Sequence, residues 1–144
     1  MKRAPPIARR AHERGVASLE FVLMLPFLLT TLFGIIDTSL ILTDKAIITN
    51  ASREAARSGV TVHVPVLTTT QIQTVALNYL NNNLVAGGTA STPTVTVSQP
   101  SGTSSGDPLT VTVSYTYNGI VLGSAFSAIT GSVTLSAATT MNYE

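Results

Sequence analysis

An apolar run from Val16 to Ile36 constrains this chain more than any other feature. It holds 21 residues. At about 1.5 Å per helical residue it covers about 32 Å, close to the roughly 30 Å hydrocarbon thickness of a bilayer. Only Glu20 brings charge into the run. A basic leader precedes it, with Lys2, Arg3, Arg9, Arg10 and Arg14, five of the chain's eight basic residues. Arginines on that flank hold the N-terminal end in the cytoplasm. The expectation is a single-pass protein of a bacterial inner membrane, with its N-terminus cytoplasmic and residues 37–144 periplasmic or beyond.

A secretory signal peptide is the competing reading. It would have a shorter apolar run and a small-residue cleavage site, and Gly34-Ile35-Ile36-Asp37 offers no such site. Cysteine is absent, so disulfides and thiolate metal sites are excluded. From residue 16 onward, Lys45, Arg53 and Arg57 face six acidic residues, a net charge of −3. Nothing basic follows Arg57. A nucleic-acid surface needs a lasting basic patch, so nucleic acid is not an expected partner.

Glu20 needs a physical account. A carboxylate at mid-bilayer costs about 2.5–3.5 kcal/mol on insertion scales, and less near an interface. In one reading Glu20 sits among the headgroups. In the other it has a cationic partner. A cut after Gly15 would give Val16 a free α-ammonium, with Glu20 one helical turn away on the same face. Two charges 4 Å apart attract by about 4 kcal/mol at an effective dielectric near 20. A neighbouring subunit's ammonium would serve equally well. The residues alone favour the first reading. Pro26 deprives the Val22 carbonyl of its helical partner and permits a kink. Gly34 is either a packing notch against another helix or a neutral position.

The stretch Arg14-Gly15-Val16-Ala17-Ser18-Leu19-Glu20-Phe21 resembles the processing site of type IVb prepilins. There a peptidase cuts after the glycine, and glutamate is fifth in the mature chain. Glu20-Phe21, Pro26, Gly34-Ile35-Ile36-Asp37 and Asn50-Ala51-Ser52-Arg53-Glu54-Ala55-Ala56-Arg57 together resemble the TadE-like family. Its members are minor pilins or pseudopilins of the tight-adherence (Flp) pilus system. The likeness is dense over residues 10–60 and loose afterwards.

The resemblance implies a non-enzymatic role in pilus assembly, adherence or related secretion machinery. It implies processing at Gly15, Val16, Glu20 and Phe21. Helix packing would involve Glu20, Pro26, Gly34, Asp37, Arg53, Glu54 and Arg57. The implied partners are the inner membrane, a prepilin peptidase, and other pilin-like subunits and assembly proteins.

Beyond the membrane the helix is expected to continue. Leu40, Ile41, Ile47, Ile48, Ala51, Ala55 and Ala56 recur at three-to-four spacing. Glu54 can pair with Arg57 across one turn, and Gly59 supplies a helix end. Residues 60–70 read as a connector around Pro65. Residues 71–84 read as a second helix with Ile72, Val75, Ala76, Tyr79 and Leu80 on one face. Asn81-Asn82-Asn83 weakens that helix, and Gly87-Gly88 ends regular structure.

From Pro93 the period becomes two. Residues 94–98 alternate, and 109–117 alternate strongly, with Leu109, Val111, Val113, Tyr115 and Tyr117 on one face. A third strand starts with Val133, Leu135 and Ala137 and extends toward Tyr143. Residues 99–108 form a Ser/Gly-rich turn. The apolar loop 118–130 reads as cover over the sheet edge, with a partner-facing or membrane-touching patch as the alternative.

The expected fold class is α+β: a long transmembrane and stalk helix, a second helix, and about three antiparallel strands, in a type IV pilin-like arrangement. The division is a basic leader at 1–15, the helix and stalk at 16–59, and a small head at 60–144. His12 lies in the leader and His63 stands apart near Pro65, so no metal spacing arises. No nucleophile elbow, phosphate loop or dinucleotide fingerprint is present. Beyond residue 58 the carboxylates are Asp107 and Glu144, which offer serine no credible base. No catalytic residue, metal or cofactor is therefore expected. An uncleaved membrane-anchored scaffold and a surface adhesion module remain alternative functions.

Overall fold

A computed structural model describes residues 9–62, 64–81, 83–86, 91–119 and 132–144, with side chains from Gly15 onward. The first helix, α1, runs Arg9–Val60. Its 52 residues correspond to about 78 Å. The second helix, α2, is Thr69–Leu80. Three strands follow: β1 Thr94–Ser98, β2 Pro108–Tyr117 and β3 Val133–Asn142. They form one antiparallel sheet in the order β1-β2-β3. The α+β class and the long-helix architecture expected from periodicity are present.

The C-terminal half of α1 lies on the sheet. Ile48, Ala51, Ala55 and Ala56 are fully buried. Alanine leaves room for close approach while keeping helix propensity high. The facing side of β2 buries Leu109, Val111, Val113, Tyr115 and Tyr117, as its alternation predicts. From α2 come Ile72, Ala76 and Leu80, a strict four-residue repeat. Val75 is only half-buried and Tyr79 is exposed, so the apolar stripe is narrower than expected.

Element boundaries differ from the sequence expectation in instructive ways. The second helix starts earlier because Thr68 caps it. Thr68 Oγ1 accepts from Gln71 N at 3.3 Å, and Gln71 Oε1 accepts from Thr68 N at 2.9 Å. It stops at Leu80 rather than Leu84, with the Asn81 N–H donating to the Leu77 carbonyl. Gly59 does not end α1, which continues to Val60. An ideal Cβ on Gly59 would lie 2.5 Å from Leu109 Cδ2 and 2.8 Å from Ile72 Cδ1. Gly59 is therefore a point of close approach among α1, α2 and β2. Among the described residues, the left-handed glycines are Gly102 and Gly106, in the β1–β2 turn.

α1 is assigned as one helix through Pro26. No ion pair forms between Glu54 and Arg57, and both side chains face outward. Of the apolar connection at 118–130, only Asn118 and Gly119 lie within the described residues, as His63 does not.

Candidate assembly interface

The N-terminal half of α1 stands apart from the head. Val16, Leu19, Phe21, Val22, Leu23 and Met24 are each more than half exposed, and Phe27 is 75% exposed. α1 is long and apolar enough to cross a membrane, and its most apolar window is not buried against the head. Such a surface needs lipid or another helix to cover it.

Its polar groups are managed internally. Thr30 Oγ1 donates to the Pro26 carbonyl at 2.8 Å, and Thr31 Oγ1 to that of Phe27 at 2.9 Å. Thr38 and Ser39 bond back one turn in the same way. Back-bonding removes the cost of a bare hydroxyl in hydrocarbon. Glu20 is exposed on this bare helix, one turn from Val16, and no described group hydrogen-bonds it. Gly15 and Gly34 have open space where a Cβ would stand. Pro26 is also exposed.

The head begins to cover α1 at Phe33 and Gly34, which are half-buried, and closes on Asp37. Asp37 is completely buried. Tyr117 Oη donates to Asp37 Oδ1 at 3.1 Å. Burial, that bond and the Asp37 charge together push the Tyr117 phenol far above its ordinary range, so it stays a proton donor. Gly119 lies so close that an ideal Cβ would stand 2.6 Å from Asp37 Oδ2. Asp37 thus secures the membrane-proximal end of the chain's own head.

Two turns further up, Asp44 is also fully buried. Next comes Ser52, whose hydroxyl shares a 2.7 Å hydrogen bond with Thr139 of β3. These polar groups, together with Ile48, Ala51, Ala55 and Ala56, make the head-facing stripe of α1. The opposite side carries Arg53, Glu54 and Arg57, all exposed. The structure therefore separates the anticipated site residues. Gly15, Val16, Glu20, Phe21 and Pro26 lie on the bare helix, Arg53, Glu54 and Arg57 lie on the outer stalk face, and Asp37 turns inward.

Asp44 and Gly119 were not singled out from sequence, Ser52 entered only as part of the Asn50–Arg57 motif, and Tyr117 only as part of the apolar face of β2. The seven-residue step from Asp37 to Asp44 was the available signal, since it places both acids on one helical stripe.

The exposed helix and the stalk form one continuous segment. Residues 15–57 match the family model described as TadE-like protein. The match covers less than a third of the chain. No curated protein and no solved structure matches it. The match ends at Arg57, the last outward-facing arginine of the stalk. That family is a structural one associated with the tight-adherence pilus, in agreement with the resemblance drawn from Glu20, Asp37 and the Asn50–Arg57 motif. The head beyond Gly59 lies outside the match.

Proposed function

We propose that this protein is a non-enzymatic minor pilin or pseudopilin that takes part in assembling a tight-adherence (Flp) type IVb pilus or related secretion machinery. The observation that carries this reading is the bare apolar helix, continuous with a stalk of TadE-like sequence and anchored to a small head. The helix inserts with its N-terminus in the cytoplasm and the head in the periplasm. A prepilin peptidase removes residues 1–15, Gly15 leaving room for the enzyme at the scissile bond. The new Val16 ammonium neutralises Glu20 on its own or a neighbouring subunit. The helix then packs against other pilin-like helices, and Arg53, Glu54 and Arg57 offer charge to them.

Electron microscopy of a deletion strain tests the role. The proposal expects loss of tight-adherence pili, restored by the wild-type gene and not by Glu20→Gln. Normal piliation in the deletion strain would refute it.

The same exposed helix would serve a second reading, an uncleaved anchored scaffold, equally well. In that case Gly15→Ala leaves piliation intact, whereas under the first reading it blocks maturation.

A further inference from the structure

Asp44 is a buried acid with no role in the reading above. It is completely inaccessible, in the middle of the stalk where α1 meets the head. Oδ1 accepts a hydrogen bond from the Val85 N–H at 2.9 Å. Oδ2 is buried and has no hydrogen-bond partner. A buried carboxylate is normally paired or supplied with several donors, because each bare charged oxygen forfeits its hydration. Among the described residues, one backbone N–H is the whole provision.

Among the described residues, none supplies Asp44 with a cation. From β2 the neighbouring phenols are Tyr115 and Tyr117, and the Asp44 charge helps to keep both protonated and so uncharged. On α1 the nearest buried ionisable group is Asp37, another acid. Lys45 is next in sequence, but its ammonium is committed to the Ser136 carbonyl of β3. β1, β3 and the segment 83–86 contain no titratable side chain, and α2 contributes only the exposed Tyr79. Protonation is therefore the remaining way for Asp44 to shed its charge while it stays enclosed.

We propose that Asp44 is a proton-operated latch between the stalk helix and the segment 83–86, closed when its carboxyl is protonated and loosened when it ionises. In the closed form Asp44 holds Val85, and the residues on either side of Val85, Leu84 and Ala86, line a groove of about 420 Å³ between α2 and Tyr115. Ionisation favours arrangements that bring water to the carboxylate, and release of the 83–86 segment from α1 does this. The groove wall then moves with the latch.

The direction of the linkage follows from burial. Desolvation holds the Asp44 carboxyl above its ordinary range, and the Val85 bond only partly opposes it. The closed state thus binds the proton more tightly than the open one. Its contribution to stability is fully present below the ordinary carboxylate range and is lost as pH rises through the raised value. A compartment whose pH follows the exterior would set the latch directly.

Hydrogen exchange of the Val85 amide tests this, using the full chain in detergent micelles and correcting for intrinsic base catalysis. Protection should fall as pH rises above the ordinary carboxylate range in the wild type. It should stay constant in Asp44→Asn, which keeps an oxygen for Val85 and cannot ionise. Constant protection in the wild type, or an equal fall in both proteins, overturns the latch. A second measurement covers a variant that fails to fold: carbon NMR of the wild-type Asp44 carboxyl. A midpoint above the ordinary aspartate range supports the proposal, and an ordinary midpoint overturns it.

Discussion

Two glycines bracket the contact between stalk and sheet, and they differ in what crowds them. Gly119 faces the short, fully buried Asp37 side chain, with Cγ and Oδ1 both 2.7 Å from an ideal Cβ. Gly59 faces the tips of Leu109 and Ile72, which can rotate. Alanine in a helix interior also gains about 0.5–1 kcal/mol over glycine. Gly119→Ala should therefore destabilise the head by about 1–3 kcal/mol through overpacking. Gly59→Ala should remain within about 1 kcal/mol of the wild type, propensity offsetting the crowding. Denaturant midpoints of the two variants, read by tyrosine fluorescence, check the order.

Tyr117→Phe removes a donor from the same buried carboxylate, and a loss of about 1–3 kcal/mol is expected. The same unfolding assay reads it. A near-neutral result would show that the bond to Asp37 contributes little.

At the scale of elements, the stalk and β2 are matched in length. From Asp37 to Gly59 the helix rises about 33 Å. From Leu109 to Gly119 an extended chain covers about 34 Å. The two run antiparallel, with Gly59 at Leu109 and Asp37 at Gly119, so the head is fastened at both ends. α2 covers the upper part and depends on its cap. Thr68→Ala should cost about 0.5–2 kcal/mol and lower amide protection over the first turn of α2.

Patterning made some of these elements readable and left others hidden. β2 could be read because Leu109, Val111, Val113, Tyr115 and Tyr117 alternate with hydroxyls, and strand period is a local property. The Thr68 cap was missed because Thr68 and Thr70 each have a glutamine three residues on, so the pattern alone offers two starts. Gly59 read as a helix end because glycine often is one, and its true neighbours are distant in sequence. Asp37 read as a helix-packing residue and Asp44 was given no role, because helix periodicity alone does not identify the face that a sheet will cover.

For the molecule as a whole, the division of α1 into an exposed and a covered half carries the account. Among the described residues, the apolar helix below Phe33 is almost wholly exposed. The TadE-like match spans both halves and stops where the head takes over. A chain built this way places its head at one end and leaves a helix of membrane length for lipid and for neighbours. In the proposed mechanism, a new amine beside Glu20 removes the cost of an acid in that environment. The most direct test is the intact mass of protein extracted from membranes after co-expression with a prepilin peptidase. The account predicts a chain beginning at Val16, and no such product from Gly15→Ala. Recovery of chains starting only at Met1, in the presence of an active peptidase, would contradict it.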